Sequence, residues 1–335
     1  MSHPLNVTAY TGGQHVSSAR FRVRQYVRPL VEFGVSLDER WPALTAYPPR
    51  TRVFRPAWLA ATLAQRLAQL AAARSSDVIL FQKELISTLP TLEGFVRRPC
   101  LVDIDDSIHL FRDGWAARKL AALADTVIVG NEWLAEVWRQ WSAAVEVLPT
   151  AIDTEKYRPS PLPSAPVIGW IGIGSNLRYL DAIAPALAGV VKRFPKTTIA
   201  VCSDERPKLP GLPVSYVPWS VAAEAPFLSS ISIGIMPLAD GLWERGKCAF
   251  KMLQYMAAGR PCVVSPAFMN AKILGQAEVG LSAVTNEEWT AALCSLLSDP
   301  DAAERMGETG RKLALEHYSV DVLAPRFAAQ LRRLG

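Results

Sequence analysis

No CxxC pair, no long apolar run and no basic tail or acidic block occurs in this chain of 335 residues, and each absence excludes a class of protein. The five cysteines, Cys100, Cys202, Cys248, Cys262 and Cys294, are odd in number and widely spaced. That argues against both a disulfide framework and a zinc knuckle. Three of them lie in apolar runs (CLVDI, IAVCS, PCVVS), where a free cysteine behaves as a small buried hydrophobe. No stretch approaches the ~18 uncharged apolar residues of a spanning helix. The opening MSHPLNVTAYTGG lacks the basic and then apolar regions of a secretory signal, so the expected location is cytoplasmic. Net charge is +5, from 36 Lys/Arg against 31 Asp/Glu, too dilute for a dedicated nucleic-acid binder. A hydrophobic share of 50% against 20% charged excludes disorder as the main theme.

What is present is alternation. Short apolar runs at Leu5–Tyr10, Val35–Leu37, Val78–Phe81, Leu101–Ile104, Thr126–Val129 and Val145–Leu148 read as strands. Between them, Ala19–Phe33, Pro56–Ala73, Trp115–Ala124 and Glu132–Trp141 read as helices. Ser18 suits an N-cap and Pro56 a first helical position. The segment RPSPLPSAP then places four prolines in nine residues, a linker composition. Alternation resumes with strands Val167–Ile171, Thr197–Cys202, Val214–Val217, Ile231–Met236 and Pro261–Ser265. Helices are expected at Leu177–Lys192, Ala222–Leu228, Lys247–Ala258, Glu287–Leu297, Asp301–His317 and Val320–Leu334. The pattern predicts an α/β protein of two Rossmann-like domains: 1–157 first, a linker at 158–166, and 167–318 second.

Ligands of such sheets bind beyond the carboxyl ends of the strands. After the first strand come Gly12-Gly13 and then Arg20 and Arg22, read either as anion contacts or as a turn followed by a solvated face. Gly172-x-Gly174 opens the second domain with Leu177 where a dinucleotide fingerprint has its third glycine. That omission, and the lack of a clear acidic ribose partner, weaken an NAD-dependent oxidoreductase reading. Ser175 and Arg178 follow and suit a diphosphate. In ERGKCAFKMLQYMAAGRPCVVSP, a helix puts Cys248, Met252, Tyr255 and Met256 on one stripe and Lys247, Lys251, Gln254 and Ala258 on the other. Two lysines at a helix start oppose its dipole unless an anion sits there. Gln254, one turn on, is placed to hydrogen-bond a ribose. Asp103-Ile104-Asp105-Asp106 ends a strand and is open to three readings: a cleft or acceptor contact, a structural turn, or a metal site. Trp219 follows another strand, beside a nucleotide base or in packing. His15 and His109 fall near strand ends.

ERGKCAFKMLQYMAAGRPCVVSP closely resembles the donor-binding segment of family 4 glycosyltransferases, which have the GT-B fold. VIVGNEWLAEVW, VEVLPTAIDTEKYRP, VIGWIGIGSNLRYL and LSSISIGIMPL extend the likeness over most of the chain. The resemblance implies two domains facing across a cleft, with the last helix (about 319–335) packing back on the first. It also implies a nucleoside-diphosphate sugar as donor, retention of configuration, no metal and no tightly bound cofactor. Taken together with the residue pattern, the expected donor contacts are Gly13, Arg20, Gly174, Ser175, Arg178, Trp219, Glu244, Gly246, Lys247, Lys251 and Gln254, with Asp105, Asp106 and Lys251 at the reacting groups. Members commonly carry two glutamates eight residues apart; here Gln254 stands at the second position and Gly246 at the first. A catalytically inactive nucleotide-sugar binder or partner subunit is therefore the alternative reading. The acceptor is expected to be a saccharide, a lipid-linked molecule or a small molecule. Arg20, Arg22, Arg24 and Arg28, with ten tryptophans, are compatible with peripheral contact at an anionic membrane.

Overall fold

The computed structural model describes residues 3–73, 75–96 and 99–335. The chain divides into two compact units, Met1–Ala151 with Val320–Gly335, and Ile152–Ser319.

The first unit holds six parallel strands: β1 (Leu5–Tyr10), β2 (Val35–Arg40), β3 (Val78–Gln82), β4 (Cys100–Ile104), β5 (Thr126–Val129) and β6 (Val145–Val147), in the order β2-β1-β3-β4-β5-β6. Every residue of β3 and β4 is buried, as expected where helices cover both faces of a parallel sheet. One face is covered by the C-terminal helix Val320–Arg332, whose Val320, Leu323, Ala324, Phe327, Ala328 and Leu331 form one buried stripe over β1 and β3. The other face carries α4 (Trp115–Leu123) and α5 (Glu132–Trp138). Two short helices, α1 (Ser17–Arg22) and α2 (Pro29–Glu32), replace the single helix expected over 19–33. The break falls at Val23, immediately after Arg22 turns inward onto Asp103, and Pro29 lacks the N–H to continue a helix. Ser18 is not the N-cap; its hydroxyl donates to Gln82 instead. The long helix α3 (Arg55–Ala72) has Pro56 in its first turn, as the sequence suggests.

The second unit has β7 (Val167–Ile171), β8 (Thr198–Ser203), β9 (Val214–Pro218), β10 (Ile233–Met236), β11 (Cys262–Val264) and β12 (Gly280–Ser282) in the order β12-β11-β10-β7-β8-β9, again all parallel. Its helices are α6 (Leu177–Ala182), α7 (Ala184–Arg193), α8 (Glu224–Ser229), α9 (Leu242–Arg245), α10 (Phe250–Ala257), α11 (Phe268–Leu274), α12 (Asn286–Ser298) and α13 (Pro300–Leu313). The helix expected over 177–192 breaks at Ile183, just ahead of Pro185. Helix α11 and strand β12 are absent from the sequence reading, being too short to show periodicity. Gly234 lets α10 lie close on the sheet, because a methyl group there would sit 2.2 Å from the Tyr255 ring. Tyr255 then donates its hydroxyl to Ile235 O at 2.9 Å, in the middle of the adjacent strand.

The proline-rich stretch does not mark the division. The boundaries fall at Ala151/Ile152 and Ser319/Val320, and 158–166 lies inside the second unit. Buried Arg260 fastens it there, donating to Ser160 Oγ at 2.6 Å and to Pro161 O at 3.3 Å. Among the described residues no helix is long and apolar enough to cross a membrane.

Candidate functional site

In the second unit the chain runs outward from β7 to β8 and β9, then returns past β7 to β10, β11 and β12. The strand order thus reverses between β7 and β10, and a crevice at their carboxyl ends is where such sheets take ligands. The loop Gly172-Ile173-Gly174-Ser175 leaves β7 at this point, and the segment 237–251 leaves β10. The structure brings Gly174, Ser175, Arg178, Glu244, Gly246, Lys247 and Lys251 to this end of the sheet.

Lys251 lies directly over Gly172. A methyl group at Gly172 would meet Lys251 Cε at 2.7 Å and the Trp170 ring at 2.8 Å. The Lys251 ammonium sits 5.0 Å above that ring, and Trp170 is fully buried. Burial and the neighbouring Lys247 charge lower the Lys251 ammonium to about 7. No hydrogen bond or ion pair to a carboxylate offsets this among the described residues, so the site concentrates positive potential that an anion would neutralise. Helix α10 begins only at Phe250, because Ala249 is in the left-handed region (φ 55°). Lys247 therefore precedes the helix, rather than belonging to it as the sequence suggests, and its ammonium lies 5.4 Å from the Trp243 ring. Lys251 remains in the first turn, where the helix dipole adds to the positive potential.

Beside the lysines, buried Glu244 accepts from the Tyr179 hydroxyl, which in turn accepts from Arg178 at 2.8 Å. Burial first, and then the bond to Glu244, push the Tyr179 phenol up. Glu244 thus anchors α6 to α9 and leaves most of the Arg178 side chain exposed (66%). Gly174 does not offer its amide to a phosphate: that N–H donates to Asp204 Oδ1 at 2.6 Å, and the Glu205 side chain fills the space above its Cα. An acidic residue, Asp204, therefore does follow the second strand of this unit, unnoticed in the sequence, but its carboxylate is engaged by the loop.

Gln254 faces inward, not onto a wet stripe. Its Nε2 donates to the Tyr157 hydroxyl at 3.2 Å, and Tyr157 donates to Glu224 Oε2 at 2.8 Å. Lys156 pairs with the same oxygen at 2.5 Å, and Trp219 Nε1 donates to Glu224 Oε1 at 3.2 Å. Glu224 is thus a buried acceptor shared by three donors, which the sequence reading missed because one glutamate in a short helix carries no motif. A glutamine suits position 254 here, since it can donate toward a group already bound to a carboxylate.

In the first unit the strand order reverses between β1 and β3. The register Gln82↔Asp103 brings Lys83 out beside Asp105 and Asp106. Lys83 Nζ pairs with Asp105 Oδ1 at 2.7 Å and Asp106 Oδ2 at 2.5 Å, from a left-handed backbone position (φ 62°). A non-glycine residue held there stores strain, a frequent mark of functional sites. Burial pulls the Lys83 ammonium down, but the two carboxylates outweigh it and hold it well above the usual lysine range. The acidic run is thus charge-compensated by a lysine that sequence reasoning overlooked at the end of VILFQ. Among the described residues no group of three His, Cys, Asp or Glu side chains is placed to hold a metal ion. Next to Lys83, Glu84 is 94% buried with Oε1 unpartnered, and burial raises its carboxyl to about 7.

The arginine cluster does not form one patch. Arg22 is buried, its Nε 3.1 and 3.2 Å from the two Asp103 oxygens and its Nη1 donating to Leu148 O at 2.8 Å, so it cannot meet a phosphate. Arg24 pairs with Glu39 at 2.7 Å. Arg20 stacks on Phe21, Gly13 packs against Thr45 and Val16, and His15 is exposed. His109 lies 5.3 Å from Trp133, and burial lowers its imidazole. A cavity of about 640 Å³, lined by the proline-rich segment, α12 and α13, opens at the amino ends of β10 and β11, the opposite edge from the lysines.

The architecture matches solved glycosyltransferases. Sucrose-phosphate synthase from Thermosynechococcus elongatus superposes with a TM-score of 0.76 at 16% identity, covering 98% of each chain. Anabaena HepE, solved with UDP-glucose, gives 0.73 at 14%, covering 98% of this chain and 100% of that one. WaaG, a glycosyltransferase involved in lipopolysaccharide biosynthesis, gives 0.68 at 12%, covering 97% and 99%. No curated protein sequence matches the chain. The fold is GT-B, and residues 165–299, the bulk of the second unit, match the family described as Glycosyl transferases group 1.

Proposed function

We propose that the protein transfers a sugar from a nucleoside-diphosphate donor to an acceptor hydroxyl, with retention, as a family 4 glycosyltransferase. The observation that carries this reading is Lys251: a cation without a carboxylate partner, seated over Gly172 at the strand-order reversal, with a second lysine nearby. The donor diphosphate neutralises Lys251 and Lys247, with exposed Arg178 reaching the same group. Gln254 backs the ribose side from within, through Tyr157, and Trp219 serves the base side, both organised through Glu224. In the transfer, the bond from the anomeric carbon to the diphosphate oxygen breaks and the acceptor oxygen bonds that carbon. The acceptor proton leaves with the diphosphate. The lysines are worth most as charge develops on the departing group, so no protein nucleophile and no metal are needed in this scheme. The acceptor lies with the first unit, where Asp105 and Asp106, steadied by Lys83, accept from its hydroxyls. UDP-glucose is the first donor to try, since a structural relative was solved with it. A role in polysaccharide, glycolipid or glycoconjugate synthesis and a cytoplasmic location complete the reading.

Gln254 favours a second reading, a binder without turnover, because a carboxylate is common at that position in the family resembled. Incubation with UDP-, GDP-, CDP- and ADP-sugars, each with a panel of sugar acceptors, separates the two. Acceptor-dependent release of nucleoside diphosphate supports transfer. A raised Tm with one nucleotide and no release supports the binder, and no response to any nucleotide sinks both.

A further inference from the structure

Helix α3 is built inside out. Its fully buried residues within the helix are polar, Thr62 and Arg66. Arg66 donates to Thr11 O at 2.6 Å and to Arg40 O at 3.3 Å, pinning α3 to the ends of β1 and β2. Every exposed position from Ala57 to Ala72 is alanine or Leu67. A surface helix ordinarily shows the reverse arrangement. Just ahead of it, Val53 is 75% and Phe54 62% exposed, and Leu67 is 57% exposed. Along this stretch of chain the charge has one sign: no Asp or Glu occurs from Trp41 through Ser76, whereas Arg50, Arg52 and Arg55 crowd the start of the helix. That start has no side-chain cap and no acidic residue in its first turn. Arg52 and Arg55 are exposed at the positive end of the helix dipole, where a guanidinium is disfavoured by the dipole and favoured beside phosphate, and Arg55 is held there by donating to Pro49 O at 3.1 Å.

We propose that the face formed by Val53, Phe54 and the outer side of α3 docks on an anionic lipid bilayer, with Arg52 and Arg55 at the headgroup phosphates. The proposal is independent of the sugar-transfer reading. An apolar face rimmed by arginine and free of carboxylates is the composition of helices that lie in a membrane interface. A second copy of this chain is a poorer occupant, because the helix carries no acidic side chain to answer the arginines of its mate.

Flotation of the purified chain with phosphatidylcholine vesicles, with and without about a third phosphatidylglycerol, tests this. Binding is expected only with phosphatidylglycerol and is lost at high salt. Arg52→Gln combined with Arg55→Gln lowers the partition coefficient roughly thirtyfold, and Phe54→Ser lowers it about tenfold. Both variants keep the parental Tm, since the residues are exposed. Equal binding to pure phosphatidylcholine, no binding to either vesicle, or an unchanged partition in the arginine variant overturns the proposal. So does a solution dimer that Leu67→Ser dissociates, which would assign the face to a second copy.

Discussion

Gly172 and Lys251 share one volume: a single added methyl at position 172 would stand 2.7 Å from Lys251 Cε and 2.8 Å from the buried Trp170 ring. The lysine stem can swing aside, but the indole cannot. Gly172→Ala therefore costs about 1–3 kcal/mol of stability as an overpacked site. Because it also displaces the ammonium, it weakens nucleoside diphosphate binding at least tenfold. Denaturant unfolding and titration calorimetry on the same variant check the two effects. Loss of stability with full affinity would mean that the lysine does not meet the ligand.

Arg22 and Asp103 form a buried pair that joins α1 to β4. Asp103→Asn leaves the guanidinium without its countercharge and costs about 3–5 kcal/mol. Nucleotide affinity, which depends on the second unit, is expected to stay within twofold of the parent. The urea midpoint and the dissociation constant, measured in parallel, separate a structural arginine from a phosphate-binding one.

Glu84 gives stability a pH dependence of defined sign. Its folded carboxyl is raised to about 7, above its ordinary value, so the native state holds the proton more tightly than the unfolded chain. Stability is fully present below the unfolded pKa and is lost as pH rises through about 7. Glu84→Gln removes that loss. The variant is expected to match the parent near pH 5 and to exceed it by roughly 2 kcal/mol at pH 8. Unfolding curves at both pH values decide this, and an equal difference at the two would contradict it.

Both sheets were legible in the sequence because parallel strands buried on two faces are short apolar runs bounded by turns, as in VILFQ and TIAVCS. Helix ends were less so. Val23 and Ala249 leave the helical region inside segments whose apolar spacing continues through them, and periodicity does not register such breaks. At the site, Lys251 and Lys247 stood out because like charges gather where a dipole opposes them. Lys83, Glu224 and Tyr157 did not, since each gains its role from residues distant in sequence: Asp105 and Asp106 are brought to Lys83 by a strand register, and Gln254 to Tyr157 by α10. Gln254 looked solvent-facing on a helical wheel, yet it is buried, because the segment 152–157 covers that side of α10.

Lys251 is the group proposed to receive the donor diphosphate, and its titration offers the most direct test. With its ammonium lowered to about 7 by burial and by Lys247, Lys251 itself is largely uncharged above neutrality, and a bound diphosphate restores its proton. Calorimetric titration of UDP, GDP, CDP and ADP, in buffers of different ionisation enthalpy between about pH 6.5 and 9, follows this directly. For the nucleotide that binds, the account predicts tightest binding below pH 7, affinity falling by up to tenfold per pH unit above it, and proton uptake on binding. Lys251→Met abolishes the pH dependence and weakens binding more than tenfold. The same variant raises apo stability near pH 6 by roughly 2 kcal/mol, after allowing for the lysine's partial exposure, because a buried cation has been removed. Binding that is flat across this range, together with a Lys251→Met variant of parental affinity, would contradict the account.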